Sequence, residues 1–395
     1  MDNSPNALPD TLCQAKPEAR IAAHNEAVLA TSDTDVMFTM GTTGSDQLSS
    51  PPMDAADIAN PDILESRFSP DILQALLRDQ SSGRNILWAT DDYAHRGKGY
   101  RAQDTIEVPL ITGANEGLIK PRSEKAKAVR LARIREKAEV FTPSWVCNRQ
   151  NNLIDEAWFG RKDVFNLEND DHTWTTNTDK IAFPDTLGKT WRDYVRDVRM
   201  EVTCGEAPYL TSRYDTVTGD YIEPVNRIGI LDRKFRIVYE NNGTDRDPRK
   251  WYKWMKIALQ SVYGYEWQGD SLLLARENIL SSYVRWYMLR FEKCTFPPTK
   301  YLLEVIEIIT WNIWQMDGLK GVVPNSCVPA PDIDTQLSLF PVEQPTSPPC
   351  PACLSGSLRD MPRHTGIHCR IRDWDLPHDG KSKRTIYFYK TLKLK

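Results

Sequence analysis

Hydrophobic positions along the chain fall into two regimes that meet near residue 65. Residues 1–65 are rich in Ser, Thr, Asp, Asn, Pro and Ala, with almost no aromatics. Such a segment has too little apolar surface to offset its ordering entropy, so it reads as a disordered leader. A folded pattern begins at Ser69, where Pro70–Leu77 is expected to form a short amphipathic helix capped by that serine. Asn85–Thr90 then reads as a strand running into a polar turn at Asp91–Asp92. Farther along, Trp251–Leu259 and Ser271–Leu280 carry apolar residues at helical period, which places Trp251, Trp254 and Leu274 in a core. A third helix is expected over Lys300–Ile309, leading into a strand-like Thr310–Trp314. Residues 328–349 are Pro-rich and irregular, a linker or surface loop.

One segment breaks this apolar logic. Residues 120–139 hold eight Lys or Arg, among them Lys125, Lys127, Arg130 and Arg133, against three Glu. Val129, Leu131, Ile134 and Ala138 supply only a thin apolar stripe, so the segment reads as a mostly exposed helix. Its basic face is either simply solvated or a contact for DNA phosphates.

Composition narrows the classes further. The 395 residues suffice for two or three domains with real cores, and 12 Trp and 15 Tyr argue against disorder over most of the length. A formal net charge of −4 excludes a protein that coats nucleic acid over its whole surface, though not a local basic patch. No apolar run approaches the roughly 20 residues that span a bilayer, so no membrane partner is expected. No basic segment followed by an apolar one opens the chain, so no signal peptide is evident. Eight cysteines scattered among core-type residues point to a reducing cytoplasm rather than a disulfide scaffold.

The segment richest in chemistry is Glu201-Val-Thr-Cys-Gly-Glu-Ala-Pro-Tyr-Leu210. It reads as a strand end turning over a small-residue loop into a helix, with Gly205 leaving the backbone open to a ligand. Glu201 is placed to accept a hydrogen bond or pair with a cation beside that turn. The segment resembles the cofactor loop, D-P-A-C-G-S-G-A-F-L, of the amino-directed (adenine) DNA methyltransferases of restriction–modification systems. Phe141-Thr142-Pro143 resembles the F-T-P element that precedes this loop in the γ-type motif order of that family.

That resemblance implies an α/β fold with a Rossmann-like S-adenosylmethionine-binding sheet and a helical N-terminal region. Phe141, Thr142 and Pro143 would close over the methionine end of the cofactor, with Glu201, Cys204 and Gly205 forming its turn. Trp311-Asn-Ile-Trp-Gln-Met-Asp317 resembles the family's N-I-Y-G-V-D, so Asp317 would take the ribose hydroxyls. Glu266 competes for that role, because Tyr265–Leu280 also resembles a G-F-E-I-D-P…A-R-E-N-L stretch of methyltransferases. Cys369-Arg-Ile-Arg-Asp373 resembles the next strand, whose terminal Asp373 would meet the adenine amine. Departures from the pattern are Val202 for the loop's proline, Ala207 for its second glycine and Pro208 after it. Ala207 fits if its φ is negative, and Pro208 suits a helix's first turn.

The family's N-P-P-Y, which holds the flipped base, is absent from this sequence. Two explanations stay open: a second polypeptide supplies N-P-P-Y and adds strands to the sheet, or the chain is an inactive remnant. An uncovered sheet edge is an aggregation hazard, which favours a partner. The implied activity is methyl transfer to adenine in double-stranded DNA. The alternative is an inactive nucleic-acid-binding or assembly protein. Residues 66–138 would form an N-terminal region with the basic helix, and 139–395 the methyltransferase-like domain with an insert at 328–369.

A structural zinc ion is the second expected cofactor. Cys350-Pro-Ala-Cys353 is followed by His364, His368 and Cys369. The C-x₂-C pair joined by later His or Cys ligands has the spacing of a tetrahedral site. Cys350, Cys353, His368 and Cys369 are the expected ligand set.

Overall fold

The computed structural model describes residues 69–121, 142–184, 188–242, 248–291, 297–327, 350–378, 380 and 384–392. The fold is mixed α/β. Its centre is a parallel sheet of three strands in the order β3 (Arg199–Val202), β4 (Val262–Glu266), β5 (Ile313–Gln315). Two antiparallel pairs lie outside that sheet: β1 (Asn166–Glu168) with β2 (Trp174–Thr176), and β6 (Arg370–Asp373) with β7 (Arg384–Tyr387).

Helices complete the crossovers between the parallel strands. α4 (Ile230–Asn241) and α5 (Pro248–Gln260) lie between β3 and β4, while α6 (Gly269–Phe291) and α7 (Thr299–Asn312) lie between β4 and β5. Upstream are α1 (Pro70–Leu77), α2 (Ser144–Phe159) and α3 (Trp191–Arg196). The expected cap of α1 is present: Ser69 Oγ accepts the Ile72 N–H at 3.4 Å, and Pro70 occupies the first turn where no donor is needed. α6 is buried on nearly every side, which explains why its apolar residues do not confine themselves to one stripe. Ile72, Leu73, Leu76 and Leu77 of α1 share one core with Trp251, Leu273, Tyr283 and Ile309, so residues 69–77 pack into the body of the sheet domain.

Register determines what each face of the sheet carries. Glu201, Gly264 and Ile313 are aligned neighbours, as are Val202, Tyr265 and Trp314. Successive strand residues point to opposite faces. On the second face Tyr265 and Trp314 cluster with Cys369, Ile371 and Phe388, so the β6–β7 hairpin covers β4 and β5 there. The Tyr263 hydroxyl donates to the Arg372 carbonyl at 2.9 Å and fastens the same layer. Over β3 this face is bare: Val198, Met200 and Val202 are 54%, 42% and 61% exposed. In the register β3 pairs only with β4, and no described strand lies on its outer edge.

Two expectations are corrected. Asn85–Thr90 is extended, yet it joins no sheet and forms isolated bridges at Asn85 and Leu87. Its partner on the sheet is a side chain: Gln315 accepts the Leu87 N–H and donates back to the Leu87 carbonyl, both at 2.8 Å. The helix expected directly after Gly205 begins only at Ile230. Residues 207–211 make one turn, with the Leu210 and Thr211 N–H groups both donating to the Ala207 carbonyl, and an irregular excursion follows.

Candidate functional site

The loop after β3 closes through strand-like and turn hydrogen bonds in sequence. Cys204 N–H donates to the Tyr265 carbonyl at 2.9 Å, extending the ladder two residues past the strand. The chain then reverses at Gly205 (φ +52) and Ala207 (φ +62). The left-handed conformation costs an L-residue roughly 1–2 kcal/mol, so Ala207 is strained where the sequence reading required a negative φ. Gly264 lets the loop fold back, since a Cβ there would sit 3.0 Å from the Cys204 Cβ. Above Gly205 the space is open: a Cβ would meet no atom within 4 Å.

Two carboxylates flank this opening. Glu266, at the tip of β4, accepts the Gly205 N–H at 2.9 Å through Oε2 and the Trp267 and Gln268 N–H groups at 2.8 and 3.1 Å through Oε1. Those bonds leave its carboxylate room for about one further donor. Glu201, next to it at the tip of β3, accepts the Tyr209 N–H at 3.3 Å through Oε1, while Oε2 is buried without a hydrogen-bond partner. Burial pushes the Glu201 carboxyl well above the usual carboxylate range, the Tyr209 and Leu210 amides act against it, and the nearby Glu266 adds to the rise. Glu266 is raised as well, chiefly by burial.

The Thr142–Pro143 element meets this loop. Pro143 leads into α2, and the Tyr209 hydroxyl lies close to the Thr142 and Cys147 side chains. Thr216 Oγ1 donates to the Thr142 carbonyl at 3.0 Å, and Asn151 of α2 donates to the Tyr209 carbonyl at 3.0 Å. Phe141 lies outside the described residues, as do Lys125, Lys127, Arg130 and Arg133.

The more distant acids have other work. Asp317 sits past the tip of β5 and caps its own turn, accepting the Leu319 and Lys320 N–H groups and pairing with the Lys320 ammonium at 3.3 Å. Of the two acids left open for the ribose, Glu266 is therefore the one touching the Gly205 turn. Asp373 is not at a tip of the parallel sheet. It ends β6, whose partner is the antiparallel β7, and pairs with Arg384 at 2.6 Å. A strand ending in an acid was legible there, but its partner strand was not.

A second cluster has the character of a metal centre. Cys327, Cys350, Cys353 and His364 bring three Sγ atoms and one imidazole nitrogen within 4.8 Å of one another, a group that could hold a metal ion. The His364 Nδ1 lies 3.6, 3.6 and 3.5 Å from the sulfurs of Cys327, Cys350 and Cys353. For a tetrahedral ion with typical zinc–sulfur and zinc–nitrogen bonds, that edge is about 3.6 Å. Of the expected ligands, Cys350 and Cys353 belong to this group, whereas His368 and Cys369 lie outside it. Cys369 turns into the apolar layer and its thiol donates to the Gln315 carbonyl at 3.3 Å. The His368 ring lies against Tyr389 at 5.2 Å, in edge contact. Adjacent residues of an extended segment point to opposite sides, so 368 and 369 cannot reach one ion together. His364 was visible as a candidate from its spacing. Cys327 was not, because it lies across the Pro-rich segment from Cys350.

Among the described residues no helix is long and apolar enough to cross a membrane. No family model, curated protein or solved structure matches the chain.

Proposed function

We propose that this chain is the S-adenosylmethionine-binding subunit of a DNA adenine methyltransferase of a restriction–modification system. In this reading it works with a second polypeptide that carries N-P-P-Y. One observation carries the proposal: the Thr142–Pro143 element, the open turn at Gly205 and the acids Glu201 and Glu266 converge at one end of a parallel sheet. They are far apart in sequence, and each is the residue type that an S-adenosylmethionine pocket requires. An open α/β sheet binds ligands in the crevice at the carboxyl ends of its strands, which is where these groups lie. In this reading Glu266 takes the ribose hydroxyls and Glu201 faces the methionine ammonium. A structural zinc ion belongs to the proposal too, held by Cys327, Cys350, Cys353 and His364.

The deciding experiment is a calorimetric titration of S-adenosylmethionine into the full chain, alone and with a polypeptide bearing N-P-P-Y. Saturable binding in the micromolar range is expected. Absence of heat in both arms would overturn the reading in favour of a non-enzymatic assembly protein.

The exposed apolar face of β3, with no described strand on its outer edge, supports a partner at that strand. Val198, Met200 and Val202 form an apolar stripe beside the Gly205 loop, of the kind that added strands or helices cover. Replacing Met200 and Val202 with lysine is expected to change the free chain's stability by less than about 1 kcal/mol, because both side chains are exposed. The same double variant should no longer co-elute with the partner polypeptide in size-exclusion chromatography. Undiminished co-elution would remove β3 as the joint.

A further inference from the structure

We infer that the ion at Cys327, Cys350, Cys353 and His364 is the strut that keeps residues 350–366 and the β6–β7 hairpin against the sheet, an inference that rests on the zinc assignment above. The segment cannot hold itself there. Its 17 residues bury only Cys350, Ala352 and Met361 as apolar side chains, while Leu354 and Leu358 are exposed at 72% and 47%. Ordering one residue's backbone opposes folding by about as much as burying one or two methylenes favours it. Three small or medium side chains therefore fall far short for 17 residues. Its backbone bonds are local turns, such as Cys353 N–H to the Cys350 carbonyl and Asp360 N–H to the Ser357 carbonyl, which stabilise little on their own.

The ligands are distributed as a cross-link would need. Cys327 lies twelve residues past the end of β5, Cys350 and Cys353 sit at the start of α8 (Pro351–Ser355), and His364 lies six residues before β6. Between Cys327 and His364 the two arms approach too closely for a side chain: a Cβ on Gly366 would sit 2.7 Å from Ser326 Oγ and 3.0 Å from the Cys327 sulfur. Past the ion, Val323 N–H donates to the Ile367 carbonyl at 2.8 Å and Cys369 N–H to the Gly321 carbonyl at 3.0 Å. Those two bonds hand the cross-link on to β6 and thus to the layer over Tyr265 and Trp314.

Charge and coordination fit the same role. Three thiolates, a neutral imidazole and a divalent ion sum to a single negative charge. Lys320 stands close enough to interact with Cys353 and Cys327. All four positions are filled by protein, which leaves no open site for a substrate and marks a structural rather than a catalytic ion. Folding of the segment and binding of the ion are then one equilibrium.

The test uses the full chain, purified without chelator and kept reduced. Elemental analysis is expected to find about one zinc ion per chain. After the metal is stripped, amide hydrogen exchange should rise roughly ten-fold or more at 350–373 and 384–390 and stay unchanged in α5 and α6, with protection restored by added Zn²⁺. His364→Cys should keep both the ion and the protection, since a thiolate replaces the imidazole, whereas Cys353→Ala should lose both. A chain that neither retains zinc nor binds it on titration would refute the zinc assignment. Zinc present, with exchange at the hairpin indifferent to its removal, would refute the strut while leaving that assignment intact. Should Cys353→Ala fail to fold, the stripped and reloaded wild-type chain still decides the matter.

Discussion

Glu201→Gln is expected to make the free chain more stable and a worse receptor for a cationic ligand. The Glu201 carboxyl is buried, its Oε2 has no hydrogen-bond partner, and its neighbour Glu266 is a second raised acid. An acid raised in the folded state keeps its proton where the unfolded chain has released it. The folded state then binds more protons, so this contribution to stability is whole below about pH 4.5 and declines as pH climbs toward the folded value. The amide has no such loss. At pH 7 the variant should gain about 1–3 kcal/mol, and the gain should shrink to nothing near pH 4.5. Urea unfolding of both proteins at several pH values measures this. Some slope will remain, because Glu266 is raised in the same direction.

Binding should move the opposite way. In the proposed function the methionine ammonium of S-adenosylmethionine faces Oε2 of Glu201. Taking up the ligand drives the proton off, so wild-type affinity should rise with pH over the range in which the free carboxyl is protonated. Glutamine offers no charge, and a hydrogen bond to a charged group is worth enough that affinity should fall roughly ten- to hundred-fold. A variant that is stabilised but binds as well as wild type would mean that Glu201 does not touch the ligand. A group that weakens the fold while serving a site is a familiar compromise.

How much of this was legible depended on whether the information was local. α1, α5 and α7 were readable because their apolar period is imposed by a core they share, and α6 because its long helix-forming run is buried on nearly every side of that core. The turn at Gly205 was readable because a φ of +52 favours glycine, although Ala207 adopts φ +62 in the same turn against its preference. The helix after the turn was misplaced because long-range packing sets its start. Gly229, which precedes Ile230, lies so close to the loop that a Cβ would be 2.3 Å from the Leu210 carbonyl oxygen. Nothing near residue 210 in sequence announces that contact. The same holds for Asn85–Thr90, whose partner is the Gln315 side chain some 228 residues away, and for β6, whose alternation suits either a parallel or an antiparallel neighbour. The metal group was half readable: C-x₂-C is local, but Cys327 joins it only through the fold.

The largest loss of stability is expected from Asp155→Ala, at the junction that fixes the Thr142–Pro143 element to the loop. Arg233 of α4 reaches Asp155 of α2 at 2.5 Å, with side chains 0% and 2% exposed. The same guanidinium donates to Asn148 and Asn152 of α2 at 2.9 and 2.7 Å, and Tyr194 donates to Asp155 at 2.8 Å. A guanidinium cannot shed its proton in a protein, so removing the carboxylate strands a full cation in the core. The expected cost is about 3–5 kcal/mol, read as a fall in the urea midpoint. Most of that is a penalty for the orphaned charge rather than the worth of the pair. The double variant Asp155→Leu, Arg233→Met should therefore recover most of the stability that Asp155→Ala loses. The two helices have different jobs: α2 begins at the Thr142–Pro143 element, and α4 begins where the loop excursion from Gly205 ends. The pair sets their relative position, so the double variant, though stable, should still bind S-adenosylmethionine more weakly than wild type. A double variant as unstable as Asp155→Ala would show that packing at this junction, and not the uncompensated charge, governs the effect.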